Sequence, residues 1–167
     1  MLEKFYPDLQ ADRVQDIDLD FLAEKNIKGL ILDIDNTLVP EHVEEADENT
    51  IAWIDKVKKK GFKVCIVSNA SEKRVARFNS KLNVDVIHRA SKPRSRSFVK
   101  AMEIMNTKAS ETAVIGDQIF TDIYGGNKVN MFTILVTPID KREYFFVRLK
   151  RIAEKFVLAK MKTRKQI

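Results

Sequence analysis

Five short apolar runs rich in β-branched residues punctuate the chain, at 28–34 (KGLILDI), 62–67 (FKVCIV), 84–87 (VDVI), 112–115 (TAVI) and 131–136 (MFTILV). Each is too short for a helix and apolar at successive positions, so each reads as a strand covered on both faces. Between them apolar residues fall at helical spacing: Ile51, Ile54 and Val57 before a stop at Gly61, then Val75, Phe78 and Leu82, then Phe98, Met102 and Met105. Strand alternating with helix at these intervals specifies an α/β fold: a doubly wound, Rossmann-like parallel sheet of about five strands with helices on both faces. The interval 35–61 is largely used by a helix, which leaves no room there for a second folded unit.

Composition narrows the classes of function. At 167 residues and 44% hydrophobic, the chain is one domain with enough apolar side chains for a continuous core. Its single cysteine, Cys65, lies inside the second apolar run. That excludes a disulfide framework or thiolate metal cluster, and a cytoplasmic, reducing setting is expected. MLEKFYPDLQ has neither the basic nor the apolar region of a secretion signal, and no apolar stretch approaches the ~20 residues that span a bilayer. The net charge of +6 is unevenly spread: residues 141–167 hold ten Lys and Arg against two Glu, so the remainder is slightly acidic. Any anionic partner is therefore expected at the tail. The chain divides into a domain at 1–140, with a lead-in at 1–26, and a basic amphipathic helix and tail at 141–167.

In sheets of this kind ligands bind beyond the carboxyl ends of the strands, where strand order reverses. Polar residues collect there. The first run ends in Asp33, Asp35, Asn36 and Thr37, the second in Ser68 and Asn69, the third is followed by Lys92 and Pro93, and the fourth ends in Gly116 and Asp117 with Asp122 beyond. Asp33 and Asp35 project to one side of the chain while Ile34 turns inward. Paired carboxylates repel and are costly to desolvate, so they imply a cation or a shared proton. With Asp117 they form an all-oxygen set suited to Mg²⁺, which binds through a few carboxylates and substrate phosphate oxygens. Lys92 and the Ser68 hydroxyl then have a phosphoryl group to hold. Ser71 is the expected N-cap of the next helix, whose free N–H groups would face an anion.

The motifs DIDNT, SN, KP and GDQIFTD, in that order, resemble those of the haloacid dehalogenase (HAD) superfamily of Mg-dependent phosphatases. More closely, DIDNTLVP, SNASEKRVARF, KPR and GDQIFTDIYGGNKVNMFTILV resemble the YqeG family of subfamily IIIA, related to phosphatidylglycerophosphate phosphatases of mitochondria and plastids. The similarity runs over about residues 5–137. It implies that Asp33 is the nucleophile, forming an aspartyl-phosphate, and Asp35 the acid and then the base. It further implies that Ser68, Asn69 and Lys92 bind phosphate, that Asp33, Asp35 (through its carbonyl) and Asp117 hold Mg²⁺, and that Asp122 orients Lys92 or metal waters. Asn36 and Thr37 are expected only to shape the turn, and Gly125 and Gly126 to make a tight turn. Arg94 and Arg96 are candidates for a second acidic group of the substrate, whereas His42 and His88 are isolated and read as structural.

Many members of that superfamily enclose small substrates under an inserted cap. Here VPEHVEEADENT forms at most a short flap, which suits a phosphate presented on something large. In the tail, Phe145, Leu149, Ile152 and Phe156, with Phe146, Ala153 and Val157, recur at helical spacing, and Arg148, Lys150, Arg151, Lys155 and Lys162 fall largely elsewhere around the helix. Such a helix either lies on an anionic membrane or packs its apolar stripe on the sheet. The expected substrate is an anionic phospholipid, phosphatidylglycerophosphate by resemblance, met at the inner face of the cytoplasmic membrane. A nucleic-acid end or phosphoprotein is the less favoured substrate, and a non-catalytic binding protein is disfavoured by the complete set of Asp33, Asp35, Lys92 and Asp117. A receiver-like domain is disfavoured by the second aspartate and by Lys92 preceding the last acidic pair.

Overall fold

A computed structural model describes residues 2–140 and 145–165 of the chain. Six strands, β1 (Leu9–Ala11), β2 (Gly29–Leu32), β3 (Lys63–Val67), β4 (Asp85–Ile87), β5 (Thr112–Gly116) and β6 (Phe132–Val136), form one sheet in the order β1-β6-β5-β2-β3-β4. Every neighbouring pair is parallel. The five strands expected from the apolar runs are present, and β1 is a sixth, contributed by the lead-in. Its three residues carry no apolar run, and long-range bonds place it. The Asp8 carboxylate accepts from Thr133 N at 2.8 Å, and Asn127 Nδ2 donates to the carbonyls of Lys4 and Tyr6 at 2.9 Å each.

The helices are α1 (Leu19–Glu24), α2 (Glu48–Lys59), α3 (Glu72–Asn79), α4 (Ser95–Met105), α5 (Tyr124–Lys128) and α6 (Phe145–Lys165). Polar side chains start the first three. Asp18, Asp47 and Ser71 each accept main-chain N–H bonds from the first turn, as expected of Ser71. Because strand side chains alternate in direction, β2 and β3 feed two cores. Leu30, Leu32, Val64 and Ile66 pack with Leu22, Trp53, Ile54 and Phe78 of α1–α3. Ile31, Cys65 and Val67 face the other way, toward Phe98, Ala101 and Met105 of α4. Gly125 and Gly126 lie within α5 rather than in a tight turn. A Cβ at Gly125 would stand 2.4 Å from the Phe98 ring and one at Gly126 2.4 Å from Val114, so glycine lets this helix rest directly on the layer below.

From β2 the chain moves outward through β3 and β4, then crosses to the opposite side of β2 to lay down β5 and β6. The switch point is therefore between β2 and β5, and the loops leaving their carboxyl ends diverge around a crevice. No folded unit is inserted between β2 and α2 or between β3 and β4. The short flap that precedes α2 is tied to α3 and the turn after it: Arg74 donates to the Glu44 carbonyl at 2.9 Å, Arg77 pairs with Glu44 at 2.6 Å, and Lys81, just past the helix, pairs with Glu45 at 2.8 Å.

α6 docks with Val157 of the apolar set read from its sequence but leaves other members of that set outside. Glu154, Val157 and Met161 are buried, with Leu158 against the Ile119, Ile123 and Leu135 cluster, while Leu149, Ile152 and Phe156 are 56%, 66% and 61% exposed. The side chains of Phe145 and Phe146, residues 141–144 and the side chains of 162–167 lie outside the described residues. No helix is long and apolar enough to cross a membrane among the described residues.

Candidate active site

The strand ends deliver their polar residues to the crevice in register. Asp33 follows β2 directly, its N–H donating to the Ile115 carbonyl of β5 at 3.1 Å, and Asp117 follows β5. Both are buried, as are Ser68, Lys92 and Asp122. Ile34 between the two aspartates is fully buried, while Asp33 pairs with Lys92 and Asp35 with Arg74.

Lys92 is the centre of charge. Its ammonium lies 2.9 Å from Asp33 Oδ1 and 2.7 Å from Asp122 Oδ1, with the side chain only 3% exposed. Burial alone would lower its pKa, but the charges of Asp122 and Asp33 outweigh that and raise it, so the group stays cationic. The Lys92 main chain is held as well, its N–H donating to Asn69 Oδ1 at 2.8 Å. The Asn69 side chain thus ties the end of β3 to the Lys92 loop. Ser68 Oγ accepts from Ala70 N at 3.1 Å. Asp122 enters from a π-helical segment, Ile119–Ile123, that runs straight into α5. Gly116 makes room for it, since a Cβ there would stand 2.3 Å from the Asp122 carboxyl.

Asp35 is set apart from the buried group. Its carboxylate accepts from Arg74 at 2.9 Å and is part-exposed at 30%. Burial raises its pKa, and the Arg74 charge offsets part of that rise. A part-exposed carboxyl with its pKa raised is suited to trade a proton.

Oxygen atoms of Asp33, Asp117 and Asp122 lie within 4.8 Å of one another. Burial and the charges of Asp33 and Asp122 push the Asp117 pKa up against the opposing pull of Arg151. Three buried carboxylates face two cations, Lys92 and Arg151, and an all-carboxylate donor set fits a hard divalent cation such as Mg²⁺. The third acid in reach is Asp122. Asp35, expected beside Asp33 and Asp117 through its main-chain carbonyl, turns its carboxylate to Arg74.

Several contacts have no trace in the local sequence pattern. Thr37, expected only in the turn, donates from Oγ1 to Asp117 Oδ1 at 3.1 Å. Asn36 keeps a turn role, with a positive φ of 61° and its carbonyl accepting from Ile139 N at 3.2 Å. Arg74 and Arg151 both reach acids of the crevice from helices, Arg151 pairing with the Asp117 carboxylate. Arg94 and Arg96 are exposed at the start of α4. His42 lies 3.7 Å from Asp140 and His88 4.0 Å from Glu72, so neither joins the acidic group.

A crevice at the switch point of a parallel sheet, combining a strand-end aspartate pair, a buried lysine and a second acidic motif, defines a HAD-type phosphatase. Solved structures agree on the fold. An uncharacterized protein from Listeria monocytogenes serotype 4b superposes with a TM-score of 0.56 at 20% identity, over 70% of this chain and 85% of that one. The cobalt-bound deoxy-D-mannose-octulosonate 8-phosphate phosphatase (YrbI) of Haemophilus influenzae gives 0.53 at 18% identity, over 81% and 89%. The family is narrower than the fold: residues 2–139 match the model for mitochondrial PGP phosphatase, and the chain belongs to that family. It is 39% identical over 168 residues to the probable phosphatase YqeG of Bacillus subtilis, covering 100% of this chain and 98% of that protein. It is 26% identical over 151 residues to phosphatidylglycerophosphate phosphatase 1, chloroplastic/mitochondrial, of Arabidopsis thaliana, and spans 43% of that protein's length. The protein is a phosphatase.

Proposed function

We propose that this phosphatase hydrolyses phosphomonoesters through an aspartyl-phosphate on Asp33, and that its substrate is a phosphatidylglycerophosphate-type lipid met at the inner face of the cytoplasmic membrane. The observation that carries the chemistry is the Lys92 ammonium, buried between Asp33 at 2.9 Å and Asp122 at 2.7 Å. Lys92 and the Ile34 N–H both donate to Asp33 Oδ1, which favours Oδ2 as the attacking oxygen. Oδ2 forms a bond to phosphorus as the ester oxygen departs with the proton of Asp35. Asp35, now ionised and beside Arg74, takes a proton from water, whose oxygen attacks the phosphoryl group and returns Asp33 as a carboxylate. Lys92 offsets charge on the phosphoryl oxygens throughout, and Ser68 and Asn69 frame their seat. Mg²⁺, held by Asp33, Asp117 and the Asp35 carbonyl, would supply further stabilisation of that charge when bound.

Two features support a lipid. The crevice has no inserted cap, only the short flap tied to α3, so a bulky substrate has access. Relatives of this chain carry the name phosphatidylglycerophosphate phosphatase. The test is Mg²⁺-dependent phosphate release from phosphatidylglycerophosphate in mixed micelles, beside a phosphopeptide and a 3′-phosphorylated oligonucleotide, with wild type and Asp33→Asn. Lipid-selective release that vanishes in the variant is expected. Faster turnover of either soluble substrate would overturn the lipid assignment, and undiminished release by Asp33→Asn would overturn the nucleophile.

A further inference from the structure

The C-terminal helix does more than cover an edge of the sheet. Arg151 of α6 pairs with the Asp117 carboxylate and donates to the Asp117 carbonyl at 2.5 Å. Glu154, one turn on, grips the guanidinium with one oxygen at 3.0 Å and accepts from Ile119 N with the other at 2.8 Å. A two-residue polar clip thus fastens α6 to the loop after β5, at the carboxylate group best suited to a divalent cation. A guanidinium on Asp117 and a divalent cation at the same acids compete through like charge.

Beside that clip, Val157, Leu158 and Met161 are the apolar side chains that seat the helix among the described residues. A cleft of about 560 Å³ separates α6 from the ends of β1 and β6, lined by Gln10, Leu135, Val136, Pro138 and Lys155 and reaching Asp117. Leu149, Phe156 and, at the mouth of the cleft, Ile152 are all more than half exposed, flanked by exposed Arg148, Lys150, Lys155 and Lys160. An apolar stripe bordered by cations matches an anionic bilayer surface, which accepts the side chains into its interface and pairs its headgroups with the basic residues. A zwitterionic surface offers only the first of these.

We infer that α6 is a bilayer-responsive latch: docking of its Leu149, Ile152 and Phe156 face on an anionic membrane draws Arg151 off Asp117 and opens the acidic cluster to its divalent cation. The inference rests on the proposed cation site at Asp33 and Asp117. Because the two events share one helix, they are linked reciprocally: membrane raises cation affinity by the same factor that cation raises membrane affinity.

The experiment is Mn²⁺ binding to the full chain, read by electron paramagnetic resonance of the free ion, with phosphatidylglycerol-containing vesicles, with pure phosphatidylcholine vesicles and without vesicles, each corrected by a protein-free blank. Wild type should gain about tenfold in Mn²⁺ affinity with the anionic vesicles only. Arg151→Gln should show the raised affinity without vesicles. Ile152→Glu combined with Phe156→Glu keeps the clip, so it should match wild type without vesicles and gain nothing from them. Equal affinities in all three proteins under all conditions, or weaker binding by folded Arg151→Gln, would overturn the latch while leaving the cation site standing. An absence of Mn²⁺ binding in every case would overturn the cation site and the latch with it.

Discussion

Lys92 and Arg151 both neutralise the same group of buried acids, but from opposite kinds of scaffold. Lys92 comes from the loop that follows β4, is held at its main chain by Asn69 and sits between two carboxylates with 3% of its side chain exposed. Arg151 comes from a helix on the rim, with 16% of its side chain exposed, and pairs with Asp117. The first is part of the interior of the fold. The second is attached by a clip whose removal leaves the sheet whole. A charge needed at every step of phosphoryl transfer is expected on the rigid side, and a charge that yields on the side that can move.

The largest test of that contrast is Lys92→Ala. It strands two buried carboxylates and should lower stability by about 3–5 kcal/mol in a denaturant titration, with phosphate release falling about 10²–10³-fold. Saturating Mg²⁺ should not restore the activity. Next is Gly116→Ala, whose new methyl group meets the Asp122 carboxyl: overpacking should lower stability by about 1–3 kcal/mol and turnover with it. A variant as active and stable as wild type would show the Lys92 side to be softer than its geometry implies.

Arg151→Gln should have a smaller effect of about 1–3 kcal/mol, since Asp117 keeps its bond from Thr37. Here added Mg²⁺ should raise the melting temperature back toward wild type, because a ligand that binds only the folded state stabilises it. Failure of Mg²⁺ to rescue Arg151→Gln would erase the distinction between the two cations. Smallest of all is Phe156→Ser on the outer face of α6, expected to change stability by no more than about 0.5 kcal/mol.

Cys65 provides a clock for the whole series. Burial pushes its thiol up to about 12, so little thiolate forms near neutral pH and a thiol reagent should reach it only when the core opens. Labelling should therefore quicken in Lys92→Ala and hardly change in Phe156→Ser.

The strand-end residues were legible because each follows an apolar run, and a parallel sheet sends every such end to one edge. Asp33, Asp35, Ser68, Lys92 and Asp117 could be listed from that rule alone. Asp122 was expected beside Lys92 and lies there, but its membership of the carboxylate cluster depends on the π-helical turn and on the space at Gly116. Asn69, expected at the phosphate site, also holds the Lys92 loop, a pairing 23 residues apart in sequence. β1 escaped because LQA has no period of its own, and Gly125 and Gly126 were misread because two adjacent glycines look the same in a turn and in a helix pressed against Phe98 and Val114.

The amino-acid order by itself determined the α/β class, the helix starts at Asp and Ser caps, and which acids and lysine stand at the strand ends. These depend on side-chain periodicity and on bonds within a few residues, which short stretches specify. The sixth strand, the partners of Asp35 and Asp117, and the face on which α6 docks were decided only by the tertiary structure. Arg74 lies 39 residues from Asp35 and Arg151 lies 34 from Asp117. Contacts at that range form only when packing brings separate elements together, and either stripe of α6 could have been buried until the Arg151 and Glu154 clip favoured one.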